Sequence, residues 1–317
     1  EVLFPALREQ GIVFLRRGEW TQQQKDWVEA FFFRELMPIL TPIGLDPSHP
    51  FPKVLNKSLN FTVELEGRDA FGRASGTAIV QAPRILPRVI KLPAEVCEGR
   101  PHCFVFLSSI LHSHVHELFP GMTVKGCYQF RVTRDSELSV DDDDFKNLRT
   151  ALQGELRQRQ FGDAVRLEIA DTCPQHMESF LLTQFNLQPR DVYRVNGPVN
   201  LVRLMQVPDL VDRADLKFAP FSPTLPPPLQ KKAQLFEAIR KGDILLHHPY
   251  QSFQPVIDFL TLAATDPHVV AIKMTVYRTG TDSVLMESLI AAARAGKQVT
   301  VVVELMARFD EEANISW

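Results

Sequence analysis

The stretch HVVAIKMTVYRTGTDSVLMESLIAAARAGKQVTVVVEL, residues 268–305, decides how the last third of the chain folds. Its first eleven residues are almost continuously apolar and rich in β-branched types, the mark of a buried strand. DSVLMESLIAAARAG then carries apolar residues at helical spacing and closes at Gly296, a helix terminator. QVTVVVEL is a second non-alternating apolar strand. Two strands joined by a helix must run parallel, and apolar residues on both sides predict a sheet covered on both faces. Upstream, DILLHHPY starts as a further strand, and QSFQPVIDFLTLAATD reads as a helix with Pro255 near its start.

Going further back, APFSPTLPPPLQKK, residues 219–232, is dense in proline and reads as a domain boundary. Before it the grammar differs. TQQQKDWVEAFFFREL predicts a helix, with Thr21 and Gln24 at capping-box spacing. Five prolines between Pro38 and Pro52 force an extended connection. In SLNFTVELEG, Leu59, Phe61, Val63 and Leu65 alternate with polar residues and predict a half-buried strand. GTAIVQAP, RVIKLP and CFVFL predict more strands, and SSILHSHVHELFPG a helix capped by Ser108 or Ser109. From Tyr128 onward, strand, helix, strand, helix and strand follow one another, which predicts an α+β domain with helices on one face of a sheet. The whole reads as an α+β domain followed by an α/β domain with a parallel sheet.

The composition sets limits. The chain has 317 residues, long enough for two domains, and no membrane-length apolar run. It begins EVLFPALREQ, with neither an initiator methionine nor a secretory signal, and reads as a piece cut at both ends. A net charge of -3 attracts no polyanion globally and argues against nucleic acid as a partner, so any anion must meet a local patch. Cys97, Cys103, Cys127 and Cys173 have neither zinc-knuckle nor redox spacing, which points to a reducing, cytoplasmic setting.

Ligands of parallel α/β sheets bind beyond the carboxyl ends of the strands. Arg278 closes one strand, and Arg308 follows the next by a few residues. A helix starts at Asp282–Ser283 on the same edge, and helix N-termini favour anions. Paired guanidiniums there make a phosphate clamp, because each offers a planar charged fork. The competing reading pairs each arginine with Asp282, Glu304, Asp310, Glu311 or Glu312. Lys273 and His248 are weaker phosphate-binding candidates, with His247 and His248 equally readable as capping the turn at Tyr250. Asp141–Asp144 resembles a metal site but fits the acidic opening of a helix better. His112 and His116, one helical turn apart, lack a third zinc ligand. No Walker loop or GxGxxG is present.

DILLHHPYQSF, AIKMTVYRTG and GKQVTVVVELMARFDEEANISW resemble successive signature stretches of the bacterial polyphosphate kinase 1 family. LTPIGLDPSHPFP, HELFPGMTV, FRVTRDSEL and DVYRVNGPVNL are similar to its middle region, so the likeness runs the length of the chain. The resemblance implies an ATP:polyphosphate phosphotransferase acting reversibly through a phosphohistidine, with Mg²⁺, ATP/ADP and inorganic polyphosphate. It implies that residues 1–9 end an N-terminal helical domain, 10–224 form the head domain, and 225–317 begin a phospholipase D-like catalytic domain. It identifies Arg278 and Arg308 as the magnesium-associated positions. Arginine has no acceptor for a cation, so both are read as holding the phosphates that carry the metal. It also implies homo-oligomers through the head domain and a cytoplasmic protein with peripheral association to the inner membrane. The family's nucleophile sits in a His-x-Lys setting, and none of the nine histidines has lysine two residues on. The expected phosphohistidine therefore lies beyond Trp317, and the piece by itself is expected to be inactive. A non-catalytic polyphosphate-binding or dimerisation module, and a phospholipase D-like phosphodiesterase, stay open as alternatives.

Overall fold

The computed structural model describes residues 2–46, 50–68, 76–137 and 148–317. The aspartate run at 141–144 lies outside them. The chain divides into two compact units, Glu1–Glu137 with Gln158–Lys217, and Leu138–Arg157 with Phe218–Trp317.

In chain order the first unit holds α1 (Leu3–Glu9), β1 (Ile12–Phe14), α2 (Gln22–Phe31), β2 (Pro42–Gly44), β3 (Asn60–Gly67), β4 (Thr77–Gln81), β5 (Val89–Lys91), β6 (His102–Phe106), α3 (Leu107–His114) and β7 (Met122–Arg134). Helix α4 (Leu148–Gln158) falls almost wholly to the second unit. The first unit resumes with β8 (Ala164–Ala170), α5 (Gln175–Phe185), β9 (Val192–Val195) and α6 (Val207–Leu210). The second contains α7 (Leu235–Lys241), α8 (Gln254–Thr265), β10 (Ala271–Val276), α9 (Val284–Arg294), β11 (Gln298–Val303) and α10 (Glu311–Ser316).

Two sheets build the first unit. One has the order β2-β4-β3-β7-β8-β9, antiparallel except for the parallel β8–β9 pair. The other is β1-β6-β5, with β1 and β6 parallel. Helix α2 starts as its sequence predicts: the Thr21 side chain accepts from the Gln24 amide, and the Gln24 side chain accepts from the Thr21 amide. Its buried Val28, and Phe32 and Leu36 in the widened turn that continues it, pack with Ile110 and Leu111 of α3 against Leu59, Phe61, Val63 and Leu65.

Two expectations change here. The six-stranded sheet is covered on both faces, because Ile79, Phe130, Val132, Leu167 and Ile169 pack on Met177, Leu181 and Phe185 of α5. Asn60 and Thr62 of β3 therefore do not face solvent, while Glu66 near its end does. Thr62 is buried and donates to the Met177 sulfur at 3.0 Å, and buried Asn60 donates to the Ser58 carbonyl at 3.0 Å. Helix α3 also begins earlier than predicted, with Phe106 at the cap position and no side-chain cap, so neither Ser108 nor Ser109 serves as one.

The second unit has a two-stranded parallel sheet, with Lys273 opposite Thr300 and Val276 opposite Val303. Ile272, Met274, Val276, Val299 and Val301 face α8 and α9, contributing to a core with Leu260, Met286 and Leu289. The other face is open: Val302 is 63% exposed and Lys273 is exposed beside it. The predicted double coverage fails because α8 and α9 both lie on one side. The predicted DILLHHPY strand fails too: residues 243–248 are irregular, Leu245 is 90% exposed, and Thr224 bridges Gln251 instead. Among the described residues no helix is long and apolar enough to cross a membrane.

All four cysteines are free and buried. Burial pushes the thiols of Cys103 and Cys127 up to about 12 and that of Cys173 up to about 11. Thiolate is the reactive form, so at pH 8 the native chain is expected to resist a thiol-specific disulfide reagent while the guanidinium-unfolded chain reacts at four thiols. Rapid native labelling of any of the four would contradict this packing.

Candidate functional site

The carboxyl ends of β10 and β11 carry two loops that are sewn together. β11 runs on by one ladder bond, with the Glu304 amide donating to the Val276 carbonyl at 3.0 Å. The chain then turns: the Met306 amide donates to Glu304 Oε1 at 2.9 Å, and Asp310 N to the Ala307 carbonyl at 2.8 Å. Phe309, next to Arg308, sits at φ 71°, a conformation costly for a bulky residue and held only where the surroundings impose it.

Arg278, two residues past β10, donates from Nη2 to the backbone carbonyl of Arg308 at 2.9 Å. The two predicted arginines thus stand at one rim of the sheet. Arg278 makes no ion pair among the described residues, so its pairing with an acidic neighbour is not seen. Two of the proposed acidic partners are engaged by backbone amides, Glu304 by Met306 and Asp310 Oδ2 by Gly280 at 3.4 Å. The guanidiniums lie near the rings of the residues beside them, Arg278 5.4 Å from the Tyr277 centroid and Arg308 5.3 Å from that of Phe309. One Nη2 bond leaves most of the Arg278 fork open toward solvent.

The residue that organises this rim is Asn314, on α10 and 3% exposed. Its amide nitrogen donates to the carbonyls of Tyr277 and Glu304, both at 2.8 Å, and its oxygen accepts from Thr279 Oγ1 at 2.9 Å. One side chain therefore ties the exit of β10 to the exit of β11. Trp317 Nε1 adds a bond to the Gly280 carbonyl at 3.0 Å. The sequence reading missed Asn314, whose partners lie 10, 35 and 37 positions away.

The other candidates separate from the rim or weaken. Ser283 caps α9 with its own hydroxyl, accepting from Met286 N at 3.3 Å, so one of the helix-end amides expected to meet an anion is already used. Lys273 lies on the open face three residues before the end of β10, about 10 Å down the strand from Val276. Its mid-strand position costs little because that face is exposed. His248 is in the irregular segment rather than at a strand end; its Nδ1 lies 2.9 Å from the Gln251 carbonyl and its ring rests on Phe253. His247 packs on Tyr250. His112 contacts Arg17 and His116 pairs with Glu117, so the two do not converge on a metal. No group of three His, Cys, Asp or Glu suited to a metal occurs among the described residues.

Residues 23–207 match the family model "Polyphosphate kinase middle domain", and residues 234–317 match "Polyphosphate kinase C-terminal domain 1". The chain is 64% identical over 316 residues to the polyphosphate kinase of Neisseria meningitidis serogroup C, and 60% identical over 317 residues to that of Burkholderia multivorans. Each match covers 100% of this chain and 46% of the relative, so the chain spans about half the length of the curated relatives it matches. The crystal structure of polyphosphate kinase from Porphyromonas gingivalis superposes with a TM-score of 0.77 at 27% identity, covering 99% of this chain and 45% of that one. The mixed sheets and the parallel pair are shared with a protein of known fold, and the chain belongs to the polyphosphate kinase family.

Proposed function

We propose that the protein of which this chain forms part is an ATP:polyphosphate phosphotransferase, moving the terminal phosphate of ATP reversibly onto inorganic polyphosphate. The observation that carries the site assignment is the shared rim, where the Arg278 guanidinium is bonded to the Arg308 backbone. In this reading the two guanidiniums hold the equatorial oxygens of the phosphoryl group in flight, and their fixed charges offset what accumulates there in the transition state. The nucleophile is a histidine outside these 317 residues, phosphorylated by in-line attack on the γ-phosphorus and then relieved of its phosphoryl group by the chain end. The residues present do not make a magnesium site: arginines cannot ligate a cation, and no acidic or histidine cluster accompanies them among the described residues. Mg²⁺ would have to arrive on the phosphates of the nucleotide, and no step here runs through it. The strand–helix–strand of β10, α9 and β11 is then the opening of a phospholipase D-like catalytic domain. The unit built on the six-stranded sheet is the head domain, ending near residue 224 and serving homo-oligomer formation, with residues 1–9 the tail of a preceding helical domain. A cytoplasmic setting with peripheral membrane association belongs to the same reading.

The test is synthesis. The full-length protein, given ATP and Mg²⁺, is expected to make a polymer that an exopolyphosphatase degrades, and the 317-residue chain alone to make none. Failure of the full-length protein to make polymer, with polyphosphate binding retained, would replace the enzyme by a binding module. Turnover by the isolated chain would overturn the placement of the nucleophile.

A further inference from the structure

Arg88 lies just before β5 in the first unit and is 5% exposed. Its Nη2 donates to the Ala82 carbonyl at 3.0 Å. Its Nε and Nη1 are buried and have no partner, and no carboxylate pairs with it among the described residues. Burial pushes the guanidinium down to about 10, and the two charges that act on it, Arg203 and Arg84, are both positive and add to that push. A buried charge is ordinarily paired, because desolvation is otherwise uncompensated. Here the surroundings add like charge.

The orphaned guanidinium opens on a small hollow whose polar edge is Ser108, Gln129, Asn200 and Arg203. Its remaining wall is apolar, formed by Leu59, Val89, Phe106, Pro198 and Leu204. Ser108 stands in the first turn of α3, where the Leu107 amide is taken by the Arg88 carbonyl at 3.0 Å and no side chain caps the helix, whose positive end favours anions. Asn200 and Gln129 each leave a buried side-chain oxygen without a partner. The Asn200 amide can turn to present its NH₂, since oxygen and nitrogen are interchangeable in shape. Gln129 is fixed by donating to the Gly197 carbonyl at 3.0 Å, which leaves it an acceptor suited to a protonated phosphate oxygen. The enclosed space is about 10 Å³, one water's worth, so a larger guest requires Arg203 to swing outward. Arg203 is exposed and its side chain makes no hydrogen bond or ion pair among the described residues, so nothing holds it shut.

We propose that this hollow is a second oxyanion site that takes one phosphoryl group, with Arg88 donating from the floor and Arg203 closing over the mouth. None of its residues belongs to the Arg278–Arg308 rim. The guest is a hydrogen phosphate, free or as the end of a polyphosphate chain. The polyphosphate source rests on the proposed function; binding of free phosphate does not.

The experiment is calorimetric titration and thermal unfolding of the whole chain carrying Arg278→Ala and Arg308→Ala, which silences the rim. Inorganic phosphate, tripolyphosphate and sulfate are compared at matched ionic strength. Phosphate or tripolyphosphate is expected to bind at one per chain and raise Tm, ahead of sulfate, which has no proton for Gln129. Removing one charge-assisted donor with Arg203→Ala is expected to weaken binding about tenfold without lowering Tm of the unliganded chain. Arg88→Gln is expected to abolish binding; should it not fold, Arg203→Ala combined with Gln129→Leu decides. Tripolyphosphate binding much tighter than phosphate identifies a chain end, and equal affinities identify free phosphate. No anion-specific shift, or undiminished binding in the Arg203 and Arg88 variants, overturns the site. Such a failure beside normal polymer synthesis by the full-length protein leaves the proposed function standing.

Discussion

Arg308→Ala and Arg278→Ala, each in the full-length protein, are expected to lower polyphosphate synthesis on the order of 10³-fold, the contribution of a positioned arginine to phosphoryl transfer. The two are not equivalent. Arg308 lends this bond its backbone carbonyl, which alanine keeps, so Arg278 retains its 2.9 Å anchor in the Arg308 variant. Arg278→Ala removes both a guanidinium and the tie between the loops, so its loss is expected to equal or exceed that of Arg308→Ala. Because the charge is needed most as the transition state forms, kcat falls more than KM rises. Lysine at either position is expected to rescue poorly, since one point charge does not replace a planar fork. Steady-state kinetics check this, with circular dichroism showing the fold retained. Synthesis within a few-fold of normal in both alanine variants would end the assignment.

The sequence made the local devices legible and the long-range ones not. The Thr21–Gln24 cap closes over three residues and was readable from spacing alone. So were the strand–helix–strand of the second unit and its two arginines, because the strand-end rule needs only the order of elements. The open face of that sheet was not: Val302 and Val270 say that a strand can be buried on both sides, not that the chain supplies both covers. Asn60 and Thr62 misled in the opposite sense. Their polarity suggested solvent, but Ser58 and Met177 provide partners inside. His248 was placed at a strand end on the strength of DILLHHPY, and the segment forms no strand, since its apolar residues find no neighbouring strand to pair with. Arg88 raised no signal, because a buried arginine is distinguishable only by what fails to surround it.

Asn314 was the costliest omission, and it carries the second large effect. Asn314→Leu leaves two carbonyls without their donor and the Thr279 hydroxyl without its acceptor. At about 1–3 kcal/mol for each buried group left unpaired, partly regained by hydration at the exposed rim, the loss is expected to be about 3 kcal/mol. It should fall on the second unit, read as faster amide exchange in β10 and β11 than in β3 and β7. Asn314→Asp is the sharper probe. It keeps the shape but sets a carboxylate against the oxygens of Tyr277 and Glu304, so the folded chain favours its neutral form and raises its pKa above the unfolded value of about 4. A protonated carboxyl can still donate to one carbonyl. The unfolded state ionises first as pH rises, so stability falls from about pH 4 upward until the folded pKa is passed, and it recovers on acidification. Urea unfolding of Asn314→Asp between pH 4 and 8, with the free energies of the unsubstituted chain subtracted at each pH, isolates that trend. A flat difference, or an Asn314→Leu chain as stable as the parent, would mean that the strand ends hold their register without this side chain. In that case the arginine rim is positioned by the Arg278 bond to the Arg308 carbonyl together with the Gly280 contacts to Asp310 and Trp317.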